Sequence, residues 1–459
     1  MSKNKKISRR DFIKLASASG AASMLAACGG NNTANNNMDN NAANNEIPEN
    51  VNQLSGTTIK VLLNDFPYQH FITDRLSEFE SQTGITVDWE MVAWPVLLEQ
   101  SEIELSSGSD NYDVMIQVFI KAQRWMRAGW SAPLDDFIAR DGFDLEDFLP
   151  STRGAMNWEG VQYGIPFLAE STQMAYRKDV LDGASLAVPD TFDDLAAVLE
   201  ATHNPPDFHS YVARTEPNGV HFPFPIWLQG FGGNIFRDPP NDLTPTLNTA
   251  EAVEAATNFV DLILKYSVAG SQTYTTPDCQ NAMAQGLAGI WVDALGIFPP
   301  IRNAETSQFA DQIEIALVPA GPAGRFPQIA SHGYQIPKGS KKQEAAWEFI
   351  KWAGSKENML DSALDAGYFA HARESVLTDP AYQEMYNTGD SPIGDLIAEA
   401  LNLAKVEYRV VPEFPEVGAR LGQGIGEMIS GQKTIQEALD SVQADVEAIM
   451  IAGGNEINP

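Results

Sequence analysis

The chain has 459 residues, more than one ordinary hydrophobic core accommodates, so two lobes are expected. Its 61 acidic residues against 30 lysines and arginines give a net charge of −31, a field that repels nucleic acid and anionic headgroups and disfavours a strongly anionic ligand. Only two cysteines occur, Cys28 and Cys279, which excludes a disulfide framework and a cysteine-built zinc or iron–sulfur site.

Residues 1–27 read as an export signal. Lys3, Lys5, Lys6, Arg9, Arg10 and Lys14 precede a weakly apolar run from Leu15 to Leu25, which is too short to span a bilayer. Within it, Ser8-Arg9-Arg10-Asp11-Phe12-Ile13-Lys14 resembles the twin-arginine export motif. Leu25-Ala26-Ala27-Cys28 resembles a bacterial lipobox, which implies cleavage before Cys28 and diacylation of its thiol. Two acyl chains give stable anchoring where one is marginal. Residues 28–55 then form a disordered linker: 29–54 holds 11 Asn and almost nothing able to build a core. Its root-mean-square reach is about 25–30 Å.

Residues 57–63 are strand-like and end in the loop Asn64-Asp65-Phe66-Pro67-Tyr68. A single helix is expected through Phe71, Leu76 and Phe79, stopping near Gly84. A second strand covers 85–90, helix signals resume after Pro95, and a third strand covers 112–116. Strands alternating with helices imply an α/β fold, a parallel sheet with helices on both faces. Ligands of such sheets bind outside the carboxyl ends of the strands. That rule picks out the loops near Asn64, Trp94 and Gln117. Farther on, 189–195 opens a helix with Asp or Thr as cap and acids in the first turn. Residues 203–248 read as a long irregular stretch rich in Pro, Gly and aromatics. Helices are expected over about 249–266 and 343–360, and most of 394–453 reads as helix.

Five segments in order carry a family resemblance. They are Tyr163-Gly164-Ile165-Pro166, Ala175-Tyr176-Arg177-Lys178-Asp179-Val180-Leu181, Pro189-Asp190-Thr191-Phe192-Asp193-Asp194-Leu195 and Gly286-Leu287-Ala288-Gly289-Ile290-Trp291. The fifth is Gly333-Tyr334-Gln335-Ile336-Pro337-Lys338-Gly339-Ser340-Lys341, leading to Ala345-Ala346-Trp347-Glu348-Phe349-Ile350. Together they resemble extracellular solute-binding proteins of family 1, the sugar-type class of ABC importers, over about residues 56–453. The resemblance implies a two-lobed periplasmic-binding-protein-like fold (type II), each lobe a sheet flanked by helices, with ligand in the interlobe cleft. One lobe would comprise 56–167 plus 328–370, the other 168–327 plus 371–459. It further implies the substrate-binding component of an ABC importer, a monomer without a cofactor. Such a protein captures a mono- or oligosaccharide by interlobe closure and delivers it to a membrane permease. The chain departs from the family at Arg177, where members usually carry Asn, and at Ile290, where Met is common.

A sugar presents hydroxyls around its rim and C–H faces above and below, so its site needs aromatic platforms and planar polar groups. The first lobe offers Asn64, Asp65, Tyr68, Trp94, Gln117 and Phe119; the first crossing offers Glu170. The second lobe offers Trp227, Gln229, Trp291 and Asp293, the return crossing His332 and Tyr334, and the third crossing Tyr368 and Arg373. Each Trp is as readily core as platform. The carboxylates of Glu170 and Asp293 as readily cap helices or pair with cations, Arg373 more readily braces the hinge by pairing with an acid, and Trp347 reads as core.

Enzyme chemistry is not expected. His-Glu-x-x-His, Gly-x-Ser-x-Gly and a phosphate loop are all missing from the sequence, and His203, His209 and His221 read as loop residues with no metal. An anchored glycoside hydrolase is the third reading, since a carboxylate pair exists only in space. A polyamine, organic cation or compatible solute is the second, and within it the acid-rich body favours cations over anions. A glycerol-phosphate-type anion would need clustered Arg or Lys that these loops lack.

Overall fold

The computed structural model describes residues 53–458, apart from 240, 269, 389–390 and 405–410. The export signal, Cys28 and nearly all of the linker lie outside the described residues. The first sheet starts with β1 (Thr58–Asn64), where Ile59, Val61, Leu62 and Leu63 are all buried, the pattern of a strand covered on both faces. It pairs in parallel with β2 (Thr86–Val92) on one side and β3 (Val114–Val118) on the other. Between β1 and β2 run α1 (Pro67–Asp74) and α2 (Leu76–Thr83) rather than one helix, because the backbone leaves the helical region at Arg75 (φ −105°, ψ 5°). Gly84 stops α2 at φ 69°, where a β-carbon would also strike Ser55. The helix α3 (Trp94–Ser106) links β2 to β3, and α4 (Phe119–Arg127) follows β3 without a loop.

β4 (Gly164–Pro166) lies at the far edge of this sheet, and the chain then crosses into β5 (Glu170–Arg177), fully buried along its length. The second half continues through α5 (Phe192–Thr202), capped by Thr191, one of the two expected cap residues, in a capping box with Asp194. Next come β6 (His209–Val212), α6 (Phe224–Gly230), α7 (Ala250–Tyr266), α8 (Thr276–Ala284), β7 (Ala288–Ala294), β8 (Ile313–Leu317) and β9 (Ile329–Ala330). The second sheet runs β8-β5-β7-β6, with β9 also on β5. Its β6 is parallel to β7, and β5 is antiparallel to both β7 and β8. Ser331 alone separates β9 from β10 (His332–Gln335), which returns to the first sheet between β3 and β4 and completes the order β2-β1-β3-β10-β4.

The C-terminal part is helical: α9 (Gln343–Ala353), α10 (Lys356–Ala366), α11 (Glu374–Leu377), α12 (Pro380–Tyr386), α13 (Ile393–Leu403), α14 (Phe414–Ile429) and α15 (Ile435–Ala452). The helix expected over 343–360 is broken at Gly354 and restarted by Ser355, whose side chain accepts from the Asn358 amide. The division expected at 370/371 falls later. Residues 371–386 stay with the first lobe: α11 and α12 pack on α10, Arg373 Nη1 donates to Asp147 at 2.7 Å, and Tyr382 donates to the Phe369 carbonyl at 2.7 Å. The chain joins the second lobe only with α13, which packs on β5 and β8.

Candidate ligand-binding site

The carboxyl ends of four parallel strands point to one junction between the two sheets. β1 delivers Asp65 and Phe66, β3 delivers Phe119 and Ile120, β6 delivers Arg214, and β7 delivers Asp293, Gly296 and Ile297. Phe119 from one lobe and Phe222 from the other share a buried cluster with Ala294 and Ala330, and Ile120 and Ile297 pack against it. Phe66 meets Tyr368 edge-on at 5.4 Å. A β-carbon on Gly296 would lie 2.7 Å from Glu170 Oε1 and 3.7 Å from the Phe66 ring. Glycine there lets the backbone approach, and Glu170 Oε1 accepts from the Gly296 amide at 3.1 Å.

Trp94 stands half-buried at the start of α3, its ring 5.0 Å from that of His332; Phe119 is 6.0 Å from the same imidazole. His332 Nδ1 is buried with no hydrogen-bond partner, and desolvation pushes the ring's pKa down to about 3, so it is neutral at physiological pH. On the second lobe the fully buried Asp293 holds Arg214 by two bonds, Nε to Oδ2 at 3.1 Å and Nη2 to Oδ1 at 2.6 Å. Asp65 is exposed and shares a 2.7 Å contact with His70 Nε2. Asp65, Glu170 and Asp293 already have partners, so the junction offers aromatic and aliphatic surface with a few fixed polar groups. That arrangement suits a neutral guest with apolar faces and a polar rim.

The bacterial extracellular solute-binding protein family matches residues 65–360. The chain belongs to that family. Among its relatives, the erythritol/L-threitol-binding protein of Mycolicibacterium smegmatis is 24% identical over 84% of this chain and 83% of its own length. The maltotriose-binding protein of Pyrococcus abyssi is 28% identical over 72% and 68%. Among solved structures, an ABC transporter solute-binding protein of Agrobacterium vitis S4 with bound D-mannitol superposes with a TM-score of 0.77 at 26% identity, covering 87% of this chain and 99% of that one. One from Agrobacterium radiobacter K84 in complex with ribitol gives 0.77 at 25%, covering 85% and 98%. As in this family of extracytoplasmic binders, two sheet-based halves meet at a junction. Among the described residues no helix is long and apolar enough to cross a membrane.

Of the residues this solute-binding protein's sequence nominated, Asp65, Trp94, Phe119, Glu170, Asp293, His332 and Tyr368 gather at the junction. Asn64 ends β1 just behind them, with its Oδ1 buried and unpartnered. The rest are interior. Tyr68 is fully buried, stacks on Phe167 and donates to the Ala353 carbonyl at 2.5 Å. Tyr334 donates to Gln69 Oε1 at 2.8 Å. Gln117 lies under Gly164 and Met156 inside the first lobe, because strand alternation turns it to the opposite face from Val118. Trp227 stacks on Phe192 at 5.2 Å and donates to Asn258 at 3.1 Å, while Trp291 packs on Phe298 at 5.1 Å. Gln229 accepts from Gln328 at 2.9 Å and ties α6 to the crossing chain. Arg373 lies over Phe148 at 4.0 Å and bonds Asp147 and the Gly354 carbonyl, the bracing role. His203 and His209 meet edge-on at 5.5 Å, whereas His221 packs on Phe414.

Sequence reasoning missed Phe66, Ile120, Arg214, Phe222, Gly296 and Ile297. Position signals four of them: Phe66, Ile120, Arg214 and Gly296 each follow a parallel strand's end by two residues. Their residue types carry no sugar-site signal.

Proposed function

We propose that the chain is the substrate-binding component of an ABC importer and captures a neutral sugar or polyol at the junction of its lobes. The observation that carries this reading is the make-up of the junction: Phe66, Trp94, Phe119 and Phe222 supply ring surface, and a few buried polar groups stand among them. Aromatic faces cover C–H surfaces, and lobe closure removes the water that would compete for the hydroxyls. The relatives named for erythritol/L-threitol and maltotriose, and the neighbours holding D-mannitol and ribitol, support it. A polyamine would need uncommitted carboxylates, and Asp293 is neutralised by Arg214.

The export reading belongs to the same proposal. Twin-arginine passage (Arg9, Arg10), diacylation of Cys28 and the linker 28–55 place a monomeric binder on the outer face of the membrane, beside its permease, returning its guest chemically unchanged. A Cys28→Ala variant is expected in the soluble fraction, and retention of that variant in membranes would overturn the anchor.

Calorimetry of the mature protein tests the ligand. The panel is D-mannitol, ribitol, erythritol, maltose and maltotriose, with spermidine and glycine betaine as the counter-panel. A saturable heat with at least one polyhydroxylated compound is expected, near micromolar affinity, or about −8 kcal/mol. Heat from spermidine or betaine alone would overturn the reading.

A further inference from the structure

We infer that Arg214 anchors the ligand's hydroxyls from the second lobe, and that Asp293 is its positioning residue and meets the ligand only through Arg214. This rests on the sugar or polyol reading of the junction and names the group that enforces it. The parallel register Val212↔Trp291 sets Arg214 alongside Asp293, both at the carboxyl end of their sheet. Asp293 is fully buried and both its oxygens are occupied. Oδ2 accepts from Arg214 Nε at 3.1 Å; Oδ1 accepts from Arg214 Nη2 at 2.6 Å and from the Ala294 amide at 2.8 Å. A carboxylate in that position has nothing to offer a hydroxyl directly.

What it does is fix the guanidinium plane. The bonds to Asp293 use the Nε–Nη2 edge, so the donors left over are the second N–H of Nη2 and both of Nη1, and Nη1 has no hydrogen-bond partner among the described residues. About a sixth of the Arg214 side chain remains exposed. Its guanidinium carbon lies 5.9 Å from the centre of the Phe222 ring, and Phe222 shares its cluster with Phe119 of the opposite lobe. The free donors therefore sit where the lobes meet. A β-carbon on Gly219 would fall 2.6 Å from Arg214 Cδ and 2.7 Å from Glu216 Oε1. The glycine thus lets a charged donor and a carboxylate acceptor lie side by side, and a hydroxyl group is both donor and acceptor. A bidentate-held guanidinium is pre-organised, so little side-chain entropy is lost when it grips a ligand.

The test uses full-length mature protein and whichever of D-mannitol, ribitol, erythritol, maltose and maltotriose binds wild type most tightly, together with its monodeoxy analogues. Arg214→Met is expected to weaken binding of the parent compound about ten- to hundred-fold, the worth of a charged hydrogen bond. It should also abolish the discrimination against one particular deoxy analogue. Asp293→Asn should weaken binding less, and should add nothing in the Arg214→Met background, because it acts through the arginine. A merely structural role would lower the melting temperature and affect all analogues alike. Discrimination that survives in Arg214→Met, or an Asp293→Asn penalty that persists in full without the arginine, overturns the inference while leaving the function intact. If wild type binds none of the five, the function reading fails and this one with it. Should Arg214→Met not fold, Arg214→Lys, which keeps charge but not the fork, carries the same comparison.

Discussion

Two ion pairs cross the junction at its rim, and they set a measurable part of the closure equilibrium. Arg124 and Arg127 of α4 reach Glu416 and Glu413 at the start of α14, Nη1 to Oε1 at 2.5 and 2.8 Å. Both partners of the first pair are substantially exposed, and Arg124 keeps Glu102 of its own lobe at 3.2 Å when the lobes part. An exposed pair of this kind is worth about 0.5 kcal/mol. Glu413 is different: its side chain is 7% exposed and its Oε2 is buried without a partner, so Arg127 is what compensates that charge. Arg127 is 45% exposed, which reduces the few kcal/mol of a fully buried pair to about 1 kcal/mol. Together the pairs shift closed against open by about 1.5 kcal/mol, or roughly tenfold. Where the unliganded protein is mostly open, the apparent Kd moves by the same factor. Replacing both arginines (Arg124→Gln with Arg127→Gln) should therefore weaken sugar or polyol binding roughly tenfold at low salt, with scattering showing a larger mean radius of gyration. Raising salt should weaken wild type toward the variant and leave the variant nearly unchanged, since salt screens the rim. Equal affinities and equal salt slopes for the two proteins would refute the reasoning.

Trp94→Ala should weaken ligand binding roughly tenfold by calorimetry with a small change in melting temperature, because its ring is only half-buried; wild-type affinity would remove it from the site. Trp227→Ala should do the reverse, lowering unfolding free energy in urea by about 3–5 kcal/mol, because a fully buried, stacked and hydrogen-bonded indole leaves a cavity. Wild-type stability with lost binding would return it to the site. His371 is fully buried and His332 partly so, with its Nδ1 buried, and desolvation pushes both pKa values from 6.5 down to about 3, so below pH 6.5 the unfolded chain binds protons that the folded one refuses. Stability should be full above about pH 6.5 and fall progressively as the pH drops toward 3, each histidine contributing a slope approaching about 1.4 kcal/mol per pH unit. His332→Asn should remove about half of that slope, and a flat profile between pH 6.5 and 4.5 would contradict the burial argument.

The α/β alternation and the strand-end rule were legible in the sequence because both depend on patterns of many residues. They located the loops after β1 and β3, and there Phe119 packs with Phe222 of the other lobe. Choosing side chains within a loop fails for a different reason: a shift of one residue along a strand turns a side chain to the other face. Gln117 and Val118 differ by that single step, and one lies under Gly164 while the other pairs with His332. Large aromatics were chosen because sugars need rings, yet a ring is equally what fills a core. Tyr68, Trp227 and Trp291 went inward, whereas Trp347 was read as core and is buried, its Nε1 donating to Asp141 at 2.8 Å. β6 was hidden by its length: the four-residue His209–Val212 sits inside a Pro- and Gly-rich stretch that reads as irregular. Without β6 there is no strand end to point at Arg214. Asp293, nominated alone, then looks like a ligand contact when the structure shows a carboxylate already held from two sides. The residue type was right for the chemistry, and its partner, invisible without the parallel pairing of β6 and β7, decides which of the two faces the guest.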